Sequence, residues 1–192
     1  MLREPSTKTH ICEKLIEMMQ HKPCFEIKVT ELVKYANISR SSFYSYFNSI
    51  YDVVQKIEDD FIAGLPNERF VFLSCIKDDD YDTLLSRLNY LKENIRILRA
   101  FLGPNGDPTF LSKLVYQTEK MFRKQSKQMP ISFSDVEIKL IIENISGGTW
   151  QMYKWWVFHE DEISMEDLTE LIRKIHKHLL HFSQNETGHF TR

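Results

Sequence analysis

Residues 28–47 read KVTELVKYANISRSSFYSYF, and no other stretch constrains the fold as tightly. Val29, Leu32, Val33 and Ala36 fall at spacings of three and four, which puts them on one apolar face of a helix. Asn37 breaks that pattern. Asparagine is one of the few residues besides glycine that tolerates the left-handed conformation of a tight inter-helix turn. Ile38 can plug the core between the helices, and Ser39 is a good N-cap for the second helix. That helix buries Phe43 and Phe47 and leaves Arg40, Ser41, Ser42, Tyr44, Ser45 and Tyr46 outside. A guanidinium, small hydroxyls, phenols and a helix N-terminus are the usual donors to phosphate oxygens. A Ser/Tyr-rich face alone would read as solvated surface. The order of features (periodic helix, turn residue, capping serine, polar helix closed by an aromatic) is what helix-turn-helix geometry requires.

These residues carry a resemblance. Residues 23–54 resemble the DNA-binding domain of the TetR family of bacterial transcription regulators. The likeness rests on Ala36-Asn37-Ile38-Ser39-Arg40-Ser41-Ser42-Phe43-Tyr44, on Tyr46-Phe47 and on Ile50-Tyr51-Asp52-Val53-Val54. Three positions depart from the family pattern. The turn glycine is Asn37. The threonine that often opens the first helix is Lys28, with Thr30 two residues on. The lysine common at the start of the next helix is Ile50, beside Tyr51. The resemblance implies that Lys28, Thr30, Ser39, Arg40, Ser41, Ser42, Tyr44, Ser45, Tyr46 and Tyr51 bind DNA. Arg40, Ser41, Ser42 and Tyr44 would read bases or position the helix, while Lys28, Thr30, Tyr46 and Tyr51 would hold phosphates.

Composition agrees. The 192 residues are 42% hydrophobic and 27% charged, which describes a globular rather than a disordered chain. Six glycines and six prolines suit a mostly helical protein. No apolar run of about 18 residues exists to span a membrane, and the first residues lack the apolar core of a signal peptide. Cys12, Cys24 and Cys75 have no metal-like spacing. A reduced, bacterial cytosolic protein is expected. The net charge of −2 excludes a polycation that coats DNA without specificity. A sequence-specific dimer needs only a local basic surface, and Lys8, Lys14, Lys22, Lys28, Lys34 and Arg40 lie in the first forty residues.

The expected fold is all-α. An N-terminal helix-turn-helix domain (residues 5–65) is joined by a fourth helix to a C-terminal regulatory and dimerisation domain (residues 66–185). Helices are expected at 6–21, across the motif, from Ser49 to a stop at Gly64-Leu65-Pro66, and at 82–93, 94–102, 109–128, 134–159 and 164–183. Gly64 is expected as a C-cap glycine, Ser134 with Glu137 as a capping box, and residues 184–192 as a frayed tail.

The last two helices bear on assembly. Ile138, Ile142 and Ile145 on one, with Leu168, Leu171, Ile175 and Leu179 on the other, are candidates for a dimer interface. The resemblance implies a homodimer built as a four-helix bundle, and a twofold pair of recognition helices reads a palindrome. The alternative is that these faces fill the protomer's own core. Gly147-Gly148 within a helix calls for compensation, either by close helix packing or by a ligand. Phe101, Phe110, Met121, Phe122, Trp150 and Tyr153 are candidates for an apolar effector pocket, with core as the alternative. His176, His178 and His181 read as a solvated helix end rather than a metal site. Lys113, Lys120, Arg123, Lys124 and Lys127 read as a solvated basic face, with a surface for an acidic partner as the alternative.

No catalytic constellation, phosphate loop or cofactor motif appears, so neither an enzyme nor a cofactor is expected. The expected function is a sequence-specific DNA-binding transcription regulator. Its most favoured form is a repressor released from a palindromic operator by a small apolar or aromatic effector. The second form is an activator or coactivator of the same fold, controlled by a protein partner.

Overall fold

A computed structural model of the chain describes residues 6–66, 81–126 and 134–185, with side chains at 81–84, 125–126 and 178–185 excepted. Cys75, the side chain of Leu179 and the tail from 186 onward lie outside this description. The described residues form helices α1 (Thr7–Met19), α2 (Val29–Tyr35), α3 (Arg40–Tyr44), α4 (Ile50–Gly64), α5 (Tyr81–Glu93), α6 (Ile95–Leu102), α7 (Phe110–Ser126), α8 (Asp135–Trp156) and α9 (Met165–Asn185). A short 3-10 turn, Cys24–Glu26, precedes α2. No strand occurs among the described residues, so the expected all-α class holds. None of the described helices is long and apolar enough to cross a membrane.

The helix ends follow from their capping residues. Ser6, Ser39 and Ser49 each accept a backbone N–H at the start of α1, α3 and α4. At α8, Ser134 Oγ accepts from the Glu137 N–H, and the Glu137 carboxylate accepts from the Ser134 N–H at 2.8 Å, which closes the expected capping box. Ser164 Oγ accepts from the Asp167 N–H at 3.0 Å ahead of α9. The end of α4 differs from expectation. Gly64 stays within the helix, no described glycine has a positive φ, and Leu65 caps with φ −58°. Pro66 suffices to stop the helix without a left-handed cap.

The chain forms two compact units. The first joins residues 1–65 to 94–114, and the second joins 66–93 to 115–192. The segment 94–114 thus packs with the N-terminal residues, although it lies beyond the expected boundary at 65. The core of the first unit contains Ile11, Leu15, Met19, Leu32, Phe43, Val53, Phe61, Leu98 and Phe110, all buried. Phe110 packs edge-on against Phe61, with centroids 5.7 Å apart, and lies 5.2 Å from Phe101. The loop before α7 is tied in by the Cys24 N–H, which donates to the Asn105 carbonyl at 2.9 Å. Gly106 makes that loop possible, since a Cβ there would fall 2.0 Å from the Phe101 carbonyl oxygen.

A buried charge network holds α4, the loop and α7 together within this unit. Glu58, 1% exposed, meets Lys113 Nζ at 2.5 Å, and Lys113 reaches Asp107 at 3.1 Å. Burial pushes the Glu58 carboxyl up to about 7 despite the lysine beside it. Burial also opposes charge on Lys113, but its bonds to both carboxylates hold it above its ordinary value. Lys113 therefore points inward, contrary to the solvated face expected of it. Arg123 is likewise engaged, with Glu119 at 2.8 Å and Asp135 at 2.6 Å.

In the second unit the buried faces are Leu88 and Leu91 of α5, Phe122 of α7, Ile138, Ile142, Ile145, Trp150, Tyr153 and Trp156 of α8, and Met165, Leu168 and Ile172 of α9. The Trp156 indole N–H donates to the Ile163 carbonyl at 3.0 Å, fixing the α8–α9 turn. Lys92 and Glu166 form an ion pair between α5 and α9.

Candidate nucleic-acid interface

The turn between α2 and α3 sets the recognition surface. Asn37 has φ 51°, the only positive φ among described non-glycine residues, as the sequence leads one to expect. The Ile38 N–H then donates to the Val33 carbonyl at 3.0 Å, which closes the α2 end. His10 Nε2 donates to the Ala36 carbonyl at 2.9 Å and ties the turn to α1. Ile38 is half-buried, while Ala36, Phe43 and Phe47 are buried. The aromatic pair Phe43–Phe47, centroids 6.0 Å apart, anchors α3 from below.

With the apolar side held, the other side of α3 faces outward. Arg40, Ser41, Tyr44, Ser45 and Tyr46 are exposed and Ser42 is half-buried. Tyr44 is 55% exposed, with its ring edge-on to Phe43 at 5.4 Å, so its hydroxyl is presented on a fixed stem. Lys28, Thr30 and Tyr51 are exposed as well, at the starts of α2 and α4. At α2, the Lys28 N–H donates to Glu31 at 2.8 Å, and Glu31 also pairs with Lys22 at 2.9 Å. Glu31 thus supplies the N3 half of a capping box, accepting from the N-cap backbone, while Lys28 makes no side-chain cap. At α4, Asp52 accepts from the Asn48 backbone and side-chain amides and from Ser49 Oγ, and these bonds hold its carboxyl below the ordinary range.

Not every hydroxyl on this face is equally available. Ser39 Oγ accepts from the Ser42 N–H at 3.0 Å and shares a hydrogen with Ser41 Oγ at 2.9 Å. Ser45 Oγ donates back to the Ser41 carbonyl at 2.9 Å. The Ser39 and Ser45 hydroxyls therefore serve the helix first. Arg40, Tyr44, Tyr46, Tyr51, Lys28 and Thr30 make no such local commitment. Sequence reasoning missed Phe25 and Tyr35, 74% and 53% exposed in the same unit. A two-helix motif template gives no signal for them, because they lie outside its apolar stripe. Phe25 borders a cleft of about 440 Å³ with Cys24, Ile27, Ile50, Tyr51, Val54 and Pro108.

A family model described as "Transcriptional regulator C-terminal region" (TetR_C_8) matches residues 78–178, more than half of the chain. The chain belongs to the TetR family of transcription regulators. The helix-turn-helix on residues 28–47 and the family-typed region beyond it are thus two parts of one TetR-family chain. No curated protein matches the sequence. Among solved structures, a TetR transcriptional regulator from Streptococcus agalactiae 2603V is 20% identical, with a TM-score of 0.65 over 88% of this chain and 92% of that one. A protein described as "Dihydroxyacetone kinase operon activator DhaS" is 22% identical, with a TM-score of 0.61 over 92% and 97%. The fatty acid degradation regulator FadR from Bacillus halodurans is 13% identical, with a TM-score of 0.59 over 99% and 100%. At these identities the likeness is one of fold.

The remaining sequence candidates of this TetR-family chain separate by unit. Phe101 and Phe110 belong to the core of the first unit, whereas Met121, Phe122, Trp150 and Tyr153 belong to the second. Phe110 packs on both Phe101 and Phe61 within the first unit. Of the interface candidates, Ile138, Ile142, Ile145 and Leu168 are buried inside their own unit. The reason is one of register: the buried stripe of α8 runs 138–142–145, and a neighbouring stripe faces out. Leu171 and Ile175 are 44% and 40% exposed, and Val136, Leu140 and Trp155 join them as exposed apolar residues. Among the described residues, no atom lies within 4 Å of a Cβ added at Gly147 or Gly148.

Of the groups set aside in the sequence, Lys127 and the side chains of His178 and His181 lie outside the described residues. His176 is buried, bonded to Thr149 Oγ1 at 2.9 Å, and burial lowers it to about 4, so it is not the solvated residue expected. Burial pushes the Cys12 thiol up to about 11 and raises Cys24 too, which leaves both poor nucleophiles. Among the described residues no group of His, Cys, Asp or Glu could hold a metal.

The second unit also holds a buried arginine. Arg87 of α5 is 9% exposed, and its guanidinium lies over the Trp150 ring, 5.3 Å from the centroid. Burial pushes it below its ordinary value, with Tyr153 nearby opposing that shift. Ser146 Oγ and Thr169 Oγ1 are buried with no hydrogen-bond partner.

Proposed function

We propose that this TetR-family chain is a cytosolic homodimer that binds a palindromic operator through α3 and represses transcription until a small effector enters its C-terminal unit. The observation that carries the DNA-binding reading is the left-handed Asn37 turn, which aims Arg40, Tyr44 and Tyr46 outward on a helix anchored by Phe43 and Phe47. Arg40, Ser41, Ser42 and Tyr44 read or approach base edges. Lys28, Thr30, Tyr46 and Tyr51 hold phosphates, and Ser39 and Ser45 shape the helix that does so.

One α3 of five residues makes too few contacts for tight specific binding, so a twofold pair is needed. The exposed stripe of α8 (Leu140, Gly147, Gly148) with Leu171 and Ile175 of α9 is the surface proposed for the second copy. Adjacent glycines with no close neighbour among the described residues are what a close helix crossing between copies would use. DNA would favour one spacing of the paired α3 helices and an effector another, so that binding shifts the population between them. The second reading, an activator answering to a protein partner, shares the DNA-binding half and differs only in what engages the second unit.

Selection of bound duplexes from random DNA tests the proposal. Recovery of an inverted repeat, with half-site centres about 34–36 Å apart or a multiple of that, supports it. Recovery of no enriched sequence contradicts it.

A further inference from the structure

We infer that the C-terminal unit binds a small organic anion, a carboxylate or a phosphate monoester on an apolar or aromatic body, at Arg87 over Trp150. The inference rests on the effector reading above and adds the chemical class of the ligand.

Arg87 is nine-tenths buried, and a guanidinium stays protonated in a protein. A buried cation calls for an anion. Among the described residues no carboxylate pairs with it. Four described acids of the same unit pair with other cations: Glu166 with Lys92, Glu119 and Asp135 with Arg123, and Glu170 with Arg173. The Trp150 face beneath it supplies a cation–π contact, which leaves the five N–H donors of the fork without an acceptor among those acids.

A second, independent observation points the same way. Ser146 Oγ and Thr169 Oγ1 are buried without partners. A hydroxyl on a helix ordinarily settles on the carbonyl four residues back, as Thr149 does on Ile145 at 2.7 Å. Ser146 and Thr169 do not. Ser146 stands four residues before Trp150 and seven before Tyr153, on one face of α8. Thr169 is on the buried face of α9 with Leu168 and Ile172. A planar cationic fork over an aromatic floor, with the Ser146 hydroxyl one helical turn before Trp150 on the same face of α8, offers donors to an anion with a flat or apolar body.

The test uses the full-length protein with three probes of one shape: benzoate, phenyl phosphate and neutral benzamide. Binding is read by calorimetry and by tryptophan fluorescence, at constant ionic strength. The expected result is saturable binding of at least one anion, about tenfold or more tighter than benzamide. Arg87→Met should abolish that preference, and Arg87→Lys, which keeps the charge but loses the fork, should reduce it. Benzoate against phenyl phosphate separates the two anion types. Equal affinity for all three probes, no binding of any, or an anion preference unchanged in Arg87→Met or Arg87→Lys would overturn the inference. Should Arg87→Met fail to fold, the wild-type preference and the Arg87→Lys variant still decide. A parallel titration against operator DNA keeps the two claims apart. Anion binding that leaves DNA affinity unchanged removes the effector reading but not the site, whereas DNA binding with no anion binding removes the site but not the DNA-binding reading.

Discussion

At Asn37 the backbone sits at φ 51°, a conformation that costs most L-residues about 1–2 kcal/mol. Asn37→Gly should therefore leave stability within a few tenths of a kcal/mol, and Asn37→Ala should lose about 1 kcal/mol by urea unfolding. Tyr44 has the opposite character: it is exposed, so its loss should show in binding and not in folding. Tyr44→Ala is expected to weaken operator affinity about tenfold, or ~1.4 kcal/mol, with an unchanged circular-dichroism melt. Both placements were legible in the sequence, because a turn residue and an outward ring follow from helical spacing alone. Arg87 was not, since an arginine inside an amphipathic pattern reads as surface. Nor was Glu58, whose partner Lys113 is 55 residues away.

Glu58 also gives the pH dependence a sign. Its folded value of about 7 lies above the ordinary 4.5, so the fold binds the proton more tightly than the unfolded chain does. Its contribution to stability is whole below about 4.5 and is lost as pH rises through 7. His176 runs the other way. Its folded value of about 4 lies below 6.5, so its contribution is present above 6.5 and lost as pH falls through 4. Glu58→Gln should therefore stabilise the protein progressively from pH 4.5 to 8, with little difference at pH 4. A constant difference across that range in chemical denaturation would show that Glu58 keeps an ordinary carboxyl.

Helix α8 shows how an element can be recognised and its faces still exchanged. Its start at the Ser134–Glu137 box and its isoleucine stripe were readable from sequence. Which of two adjoining apolar stripes turns inward is settled by packing against α5 and α9, and periodicity does not encode that choice. The glycine pair lies on the side that packing leaves open. Gly147→Ala and Gly148→Ala should each add about 1 kcal/mol of helix propensity to the protomer, because no atom obstructs the new Cβ. If the dimer crosses there, the same double substitution should weaken association, read by analytical ultracentrifugation. A dimer of unchanged affinity would place the interface elsewhere.

Over the whole molecule, the helix-turn-helix was the part most open to sequence reading, because its contacts are local and its caps are single residues. The assignment of residues 94–114 to the N-terminal unit was not, since it depends on the Phe61–Phe110 and Glu58–Lys113 contacts between residues far apart in sequence. Everything proposed for this TetR-family chain depends on its binding one DNA sequence through α3. The decisive experiment is fluorescence anisotropy on the duplex upstream of its own gene against a scrambled duplex, with salt titrated in both. Tight binding to the first alone is expected, with a steep salt slope that Lys28→Ala makes shallower by about one. Equal, weak binding to both, followed by no enriched sequence on selection, would refute sequence-specific recognition by α3.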